Sequence, residues 1–236
     1  MSLKFVLFDR HPELPQLWRE AFEALVPLEC RNRVTIVETQ KDFEALNMKF
    51  DCVVSPANSF GKFDGGFDQI LSDTLAPADD SDALTRAAQA VLYKRWRGYA
   101  PPGTCTLIPL AGTPCAANRF DCHFVALCPT MRFPGSVAWH KEIVYNCVWS
   151  LLVEIDEHNA RAASEDTGTG MRPIETVVMT GLAAGTGAYS PRECAKQTAL
   201  AFAHFEEATV NPEKWSALTW GDIVRMPLSP RLPSEE

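Results

Sequence analysis

The 236-residue sequence predicts an α/β fold in which helices cover a mostly parallel sheet. Two observations lead to this prediction. Short apolar runs rich in Val, Ile, Phe and Cys are bounded by Gly, Pro or polar residues, and several lack alternation, as strands buried on both faces do. Longer segments with apolar residues at helical spacing lie between these runs, and strands separated by helices are usually joined in parallel.

Six strands are predicted, at residues 3–8, 34–37, 51–55, 104–110, 123–128 and 176–180. A further short strand is predicted near the end of the chain, at 218–220 or 223–226. Apolar residues recur every three or four positions in the intervening segments, as on one face of a helix. These patterns predict helices at 12–26, 82–97, 137–159 and 192–208, and another that begins near Phe67.

The pattern indicates a single domain over residues 1–227. Two segments lack apolar periodicity and are interpreted as surface insertions, at about 111–121 and 160–173. Residues 228–236 contain prolines and end in two glutamates, which is typical of a flexible tail. No internal repeat is found.

The charge balance argues against nucleic-acid binding, which we do not expect. The chain has 22 Lys and Arg against 30 Asp and Glu, a net charge of −8, whereas nucleic-acid binding usually depends on a basic face. A small anion is compatible with this charge because backbone N–H groups bind anions without a cation. No run approaches the ~20 apolar residues that span a bilayer, so we expect no membrane contact and a soluble protein of the cytoplasm, or also of the nucleus.

The eight cysteines fit an intracellular protein if they are reduced. Several lie within apolar runs, and free cysteine is commonly a small buried hydrophobic residue. No CxxC pair exists, and the spacings lack the regularity of zinc sites. We therefore predict structural thiols, with a metal site or a disulfide as the alternatives. No motif in the chain indicates a metal or a cofactor, and we expect neither.

The first candidate binding loop follows the predicted strand at 51–55. Residues 53–70 read Val-Val-Ser-Pro-Ala-Asn-Ser-Phe-Gly-Lys-Phe-Asp-Gly-Gly-Phe-Asp-Gln-Ile. Ligands of open α/β sheets bind outside the carboxyl ends of strands, and Gly65-Gly66 at a helix start lets a phosphate or sugar approach the backbone closely. From spacing alone, a tight turn capped by Asn58 and Asp64 is an equal alternative.

The second candidate loop also runs from a strand into a helix. Residues 177–191 read Val-Val-Met-Thr-Gly-Leu-Ala-Ala-Gly-Thr-Gly-Ala-Tyr-Ser-Pro. Gly185-x-Gly187 is too short for a dinucleotide fingerprint, and no Lys-Ser or Lys-Thr closes a P-loop. Nested amides before a helix still suit a diphosphate. The two loops supply only Lys62 as a cation, so backbone N–H groups would hold an anionic ligand.

Together these loops resemble those of the macrodomain family, whose members bind ADP-ribose. Residues 55–58, Ser-Pro-Ala-Asn, stand where the family has Asn-Ala-Ala-Asn, and residues 65–68, Gly-Gly-Phe-Asp, stand where it has glycines followed by Val-Asp. Residues 180–191 are similar to the family's Thr-Gly-hydrophobic-x-Gly-hydrophobic-aromatic-Pro segment. Upstream, residues 41–46, Lys-Asp-Phe-Glu-Ala-Leu, resemble its Gly-Asp-Ile-Thr-x-Leu segment. The resemblance covers roughly residues 34–208 and is closest to a fungal branch described as ADP-ribose 1″-phosphate phosphatases.

The resemblance implies a three-layer α/β/α fold with a mixed central sheet, and binding of ADP-ribose or a derivative. It also implies hydrolysis of ADP-ribose 1″-phosphate or of mono-ADP-ribosyl links on proteins. Asp42 would accept a hydrogen bond from the adenine amino group, with Phe43 packed nearby. Asn58 would position the distal ribose, and Asp68 would direct a water as general base.

The other residues implied for ligand binding belong to the two loops. The glycine amides would face the diphosphate, Thr186 would add a hydroxyl, and Tyr189 would stack on a ribose or wall the cleft. The first loop contributes Ser55, Ala57, Asp64, Gly65, Gly66 and Phe67, and the second contributes Thr180, Gly181, Ala183, Gly185, Thr186, Gly187, Ala188 and Tyr189. Some family members carry a stretch similar to residues 128–132, Cys-Pro-Thr-Met-Arg. Its position would put Thr130 or Arg132 near the cleft, with a structural corner as the alternative.

The sequence departs from the family pattern at three places. Ser55 replaces the first loop asparagine, Phe63-Asp64 replace glycines that the hydrolases keep, and Lys41 replaces the glycine before the adenine aspartate. Ordinary structural roles also stay open: Asp42 and Asp68 are suited to helix N-termini. A non-catalytic ADP-ribose reader and a protein-interaction module are therefore the alternatives to an enzyme.

Overall fold

A computed structural model describes residues 3–10, 13–38, 46–164 and 171–226. The strands are β1 (Lys4–Asp9), β2 (Val34–Glu38), β3 (Cys52–Ser55), β4 (Thr106–Pro109), β5 (Phe124–Leu127) and β6 (Thr176–Met179). The helices are α1 (Glu13–Leu25), α2 (Leu28–Arg31), α3 (Gly66–Leu75), α4 (Ala83–Trp96), α5 (Ile143–Ala163), α6 (Pro191–Val210), α7 (Pro212–Trp215) and α8 (Trp220–Ile223).

The six predicted strands form one sheet in the order β2-β1-β6-β3-β5-β4. All neighbouring pairs are parallel except β4 with β5. The connection from β4 to β5 contains only a single 3₁₀ turn, Pro114–Ala116, between the strands, and a chain without a long crossover returns antiparallel. The sheet is therefore mixed, as predicted.

Helices cover both faces of the sheet. Alternate strand residues point to opposite sides, and here the side chains on both sides are apolar and need burial. In β1, Phe5 and Leu7 pack in a core with α1, α5 and α6. Val6 and Phe8 pack in a second core with α3 and α4. The predicted three-layer α/β/α fold is thus confirmed. All eight cysteines are free and buried, as small hydrophobic residues of these cores.

Two predicted elements differ in the structure. The helix predicted to begin at residue 137 begins at Ile143, and Val137, which precedes it, donates its N–H to Gly187 O at 2.8 Å. The strand predicted at 218–220 or 223–226 is wrong: residues Trp220–Ile223 form α8. Thr219 and Asp222 form a capping box at its start, which stabilises a helix over an isolated strand.

Residues 111–121 pack on the core despite their irregular sequence. Cys115 and Phe120 are buried, and the Phe120 ring stacks on Phe50 with centroids 5.1 Å apart. The Asn118 side chain accepts from the N–H groups of Phe120 and Cys122 and donates to two backbone carbonyls. The segment is therefore fixed by its own hydrogen bonds and by two buried side chains.

No helix in the described ranges is both long and apolar enough to cross a membrane.

Truncating the buried ring of this segment should destabilise the whole domain. We expect Phe120→Ala to lower the free energy of unfolding by about 3–5 kcal/mol, because it removes buried area and leaves a cavity beside Phe50. Urea unfolding followed by circular dichroism measures this. Ala117→Ser, an exposed change in the same segment, is the control and should change stability by less than about 0.5 kcal/mol. Equal values for both variants would show that the segment is only peripheral.

Candidate functional site

A cleft of ≈ 420 Å³ lies across the carboxyl ends of β1, β6, β3 and β5. Both candidate loops line it, since each follows one of these strands. Gly66 and Thr186 mark where they face each other: a Cβ on Gly66 would lie 3.9 Å from Thr186 Oγ1. The loops therefore form the two walls of one site.

The first wall ends in the amino terminus of α3. Gly65 is the N-cap residue and provides no side-chain cap, and Gly66 begins the helix with a φ of +58°. The first N–H groups of a helix have no intrahelical partner, and here Gly65, Gly66, Phe67 and Asp68 all line the cleft. This wall therefore presents backbone donors and the positive end of a helix dipole to an anion.

Asp68 is the buried carboxylate of the site. It lies in the first turn of α3, is 8% exposed, and accepts a hydrogen bond from Ser55 Oγ at 2.7 Å. Burial raises the pKa of Asp68 to about 7, with the Ser55 hydrogen bond opposing this and the charge of Asp64 adding to it. A carboxyl with a pKa near neutrality exchanges protons readily, as a general acid or base must.

The Asn58 side chain is held by its own loop. Its Oδ1 accepts from the N–H groups of Phe60 and Lys62 at 3.1 and 3.3 Å, and its Nδ2 donates to Lys62 O at 2.8 Å. Asn58 lines the cleft, but its amide shapes the loop as a turn residue does. Asn58 therefore stabilises the turn and also lines the cleft.

The second wall is tied to the end of β1. Asp9 Oδ2 accepts from Thr180 Oγ1 at 2.9 Å and from the Gly181 N–H at 3.0 Å. Farther along, the Tyr189 N–H donates to Ala183 O at 3.1 Å, which closes the loop on itself. Gly187 is required inside this closed turn, because a Cβ there would lie 2.5 Å from Ala183 O. Asp9 thus positions the wall, and the turn keeps residues 185–187 at the cleft.

Most of the predicted ligand residues line the cleft. These are Ala57, Asn58, Asp64, Gly65, Gly66, Phe67, Asp68, Thr180, Gly181, Ala183, Gly185, Thr186 and Gly187. Thr130 also lines it, from the segment after β5. Its N–H donates to Ala57 O at 2.9 Å, so the β5 segment continues the wall begun by the first loop.

Three predicted ligand residues lie behind the cleft lining. Ser55 is fully buried and reaches the site only through Asp68. Tyr189 packs in the core with α1, α5 and α6, where its hydroxyl donates to Lys141 O at 2.9 Å. Ala188, with a φ of +49°, carries the chain through the turn between the cleft and Tyr189. Tyr189 therefore anchors the wall from behind. Asp42 and Phe43 lie outside the described residues.

Two charged lining residues, Asp9 and Arg10, were missed by the sequence argument. They end β1, and both line the cleft. The signal was present, because Phe-Asp-Arg closes an apolar run at the same sheet edge as the two loops. Arg10 and Lys62 give the site two cations where the loops alone supplied one.

The three phenylalanines of the first loop take three different positions. Phe63 is buried in the core with α3 and α4. Phe67 lines the cleft with its ring centroid 5.7 Å from that of Phe8. Phe60 is exposed beside the cleft, with its ring 5.7 Å from Tyr99. The bulk introduced at Phe63 therefore points into the core rather than into the cleft.

The solved structures similar to this chain include macrodomains. A glycine-to-valine mutant of the Oceanobacillus iheyensis macrodomain with ADPR is 15% identical, with a TM-score of 0.46 over 66% of this chain and 70% of that one. The same macrodomain with ADP is 15% identical, with a TM-score of 0.47 over 66% and 69%. The macrodomain of Mycobacterium tuberculosis DarG is 15% identical, with a TM-score of 0.46 over 70% and 89%. No protein-family model and no curated protein matches the chain. At identities this low, the chemistry of the cleft has to be argued from the residues of this chain.

Removing the charge of Asp68 should stabilise the protein at high pH. Because the folded-state pKa of Asp68 is raised, the wild type loses stability as pH rises from about 4 through about 7, whereas asparagine cannot ionise. We expect Asp68→Asn to gain a few kcal/mol relative to wild type at about pH 8 and much less at about pH 5, by urea unfolding. Asp73→Asn, the same change at an exposed position of α3, is the control. An Asp68→Asn difference that does not depend on pH would contradict the raised pKa.

Two glycines of the second wall should respond differently to an added methyl group. A Cβ on Gly181 would lie 2.3 Å from Leu14 Cδ2 and 2.9 Å from Asp9 Oδ2, whereas a Cβ on Gly185 meets nothing within 4 Å. We expect Gly181→Ala to destabilise the protein by about 1–3 kcal/mol through overpacking. Gly185→Ala should change stability by less than about 0.5 kcal/mol. Thermal unfolding measures both, and equal effects would contradict the close packing at Gly181.

Proposed function

We propose that this chain is a macrodomain that binds ADP-ribose or a derivative in the cleft. The observation that carries the proposal is the convergence of both family-like loops on one cleft, with a buried carboxylate, Asp68, in the first of them. The loops are far apart in sequence, so their motif resemblance and their meeting in space are separate supports. A single domain over 1–227 and a cytoplasmic location are part of the proposal.

The diphosphate would be held mainly by backbone donors. The uncapped start of α3 and the turn at 185–187 line opposite walls of the cleft, and a diphosphate between them meets N–H groups from both sides. Arg10 and Lys62 add positive charge at the same cleft. This arrangement suits a nucleoside diphosphate sugar better than an uncharged ligand. The backbone N–H groups of both walls would bond to the diphosphate oxygens, whereas an uncharged ligand would leave them hydrogen-bonded to water.

Hydrolysis at the distal ribose would use Asp68. With the diphosphate at the α3 start, the sugar beyond it lies near Asp68 and Asn58. The ionised Asp68 carboxyl would take a proton from water, whose oxygen then displaces the phosphate or the protein oxygen held at the distal ribose. The leaving oxygen keeps the electron pair of the broken bond. ADP-ribose 1″-phosphate, as in the fungal branch, and mono-ADP-ribosyl esters both fit this chemistry.

A non-catalytic reader is the second candidate. It is favoured by Asn58, whose carbonyl oxygen and amide nitrogen bond to the loop itself rather than being directed only at a sugar. A site whose polar groups are satisfied before the ligand arrives can bind tightly without activating a water. Binding and turnover therefore need separate measurements.

Calorimetry with ADP-ribose followed by a hydrolysis assay tests the proposal. We expect ADP-ribose to bind wild type and Asp68→Asn, while the variant releases phosphate from ADP-ribose 1″-phosphate at least ~100-fold more slowly, the usual loss of a general base. The wild-type rate should rise with pH through about 7, because the base must be ionised. Asp73→Asn is the matched control. Absence of binding heat at millimolar ADP-ribose would refute the macrodomain function, and binding without any phosphate release would leave the reader.

A further inference from the structure

A second cavity, of ≈ 620 Å³, lies at the opposite end of the sheet from the cleft. Leu3 and Pro173, which precede β1 and β6, line it together with Val34, the first residue of β2. The cleft lies at the carboxyl ends of the strands, whereas this amino-end cavity lies where strands begin. Cavities of this size commonly hold small molecules.

Most of the wall of the amino-end cavity is apolar. Phe5, Leu152 and Phe202 line it from the core that contains α1, α5 and α6, and Phe205 packs against that core. The rings of Phe5 and Phe202 meet edge to face, with centroids 4.8 Å apart. An apolar group that enters the cavity therefore exchanges water for ring and aliphatic carbons, which is a favourable transfer.

Polar side chains tie the walls of the cavity together. Asn159 of α5 donates from Nδ2 to Ile174 O at 2.8 Å and accepts from the Ile174 N–H at 2.7 Å. Arg33, just before β2, pairs with Glu206 of α6. Asn159, Arg33 and Glu206 line the cavity with polar groups that already bond to the protein, so the cavity is held open by contacts that a ligand does not have to replace.

The charged side chains at the cavity favour a cation. Asp156 and Glu206 line it against one base, Arg33, and that base is the partner of Glu206. Asp156 is exposed and has no hydrogen bond or ion pair among the described residues. Its carboxylate is therefore the charge that a ligand meets.

Two helix carboxyl ends add to this negative charge. Ala162 and Ala163, in the last turn of α5, and Thr209, in the last turn of α6, line the cavity. The last carbonyls of a helix have no intrahelical partner, and the helix dipole is negative there. The last turn of α6 contains no basic residue, and Arg161, the base in the last turn of α5, is not part of the cavity lining.

We propose that the amino-end cavity binds an amphipathic amine, whose aromatic or aliphatic body fills the apolar wall and whose ammonium group lies at Asp156. A carboxylate ligand would meet Asp156 and both helix ends as like charges, and an uncharged ligand would leave them to water. The faces of the phenylalanine rings also attract an ammonium group. This inference does not depend on the proposed function.

Fluorescence titration with two matched probes tests the ligand class at neutral pH and low salt. Dansylcadaverine carries an ammonium group on a chain of five methylenes, and dansyl-aminohexanoate carries a carboxylate on the same chain. Dansyl emission rises when the ring system leaves water. We expect the amine to bind at least ~10-fold more tightly than the carboxylate, because the charges at the cavity attract one and repel the other.

Substitutions in the cavity should separate its charge from its apolar wall. Asp156→Asn should weaken amine binding about fivefold, as loss of an exposed ion pair does, without weakening carboxylate binding. Ala162→Leu should weaken both probes at least ~10-fold, since each ligand methylene kept out of the cavity loses its burial. Glu157→Gln removes the same charge at an exposed position of α5 outside the lining. It is the control and should bind both probes like wild type, and thermal unfolding verifies that every variant is folded.

Four results would overturn the proposal. Absence of binding by both probes would exclude the cavity as a site for this class of ligand, and equal affinities for the two probes would remove the preference for an amine. Binding that a folded Ala162→Leu variant does not weaken would place the probe elsewhere on the protein. Equal weakening of amine binding by Glu157→Gln and Asp156→Asn would show that the charge effect does not come from the cavity.

Discussion

Parallel pairing of β1, β6, β3 and β5 forces the segments that follow these strands to one edge of the sheet. Each strand contributes a different group there: Asp9 and Arg10, the second loop, the first loop with α3, and Thr130 with Met131. Their relative heights are set by strand register, with Val53 opposite both Val125 and Val178. A one-residue slip in any pair would move core side chains to the opposite face of the sheet, into the other core, so the packing of the buried strands fixes the geometry of the cleft.

The pair formed by Ser55 and Asp68 shows how the core reaches the site. Ser55 is the last residue of β3 and Asp68 lies in the first turn of α3, so one hydrogen bond of 2.7 Å joins strand end to helix start. A longer side chain at position 55 would have to share the same fully buried space. The serine that departs from the family pattern therefore has a role: it partly offsets the desolvation of Asp68 and fixes which way the carboxyl faces.

The sequence predicted best the features that have a short apolar pattern or a glycine-rich loop. All six β-strands and the two cleft loops could be predicted, because apolar runs and glycines carry their signal within a few residues. Tyr189 could not be assigned to the core, since its position behind the wall depends on Gln197 of α6, which donates to its hydroxyl at 2.7 Å. The segment before α5 likewise makes a contact distant in sequence, the bond from the Val137 N–H to Gly187 O, which no local pattern indicates. Arg10 follows a predicted strand directly, but only the strand order of the sheet shows that β1 lies beside the cleft.

In the proposed function, the raised pKa of Asp68 sets ligand binding against hydrolysis. Besides Asp68, the cleft is lined by two acids, Asp9 and Asp64, and two bases, Arg10 and Lys62, so the protonation state of Asp68 changes the formal net charge that an anionic ligand meets. A bound diphosphate adds negative charge and removes water, and both effects favour the protonated form of Asp68. Tight binding is thus best served by a neutral carboxyl, whereas taking a proton from water needs the ionised one. With a pKa of about 7, Asp68 is present in both forms at neutral pH, so the proposed binding and the proposed hydrolysis draw on different protonation states of one carboxyl.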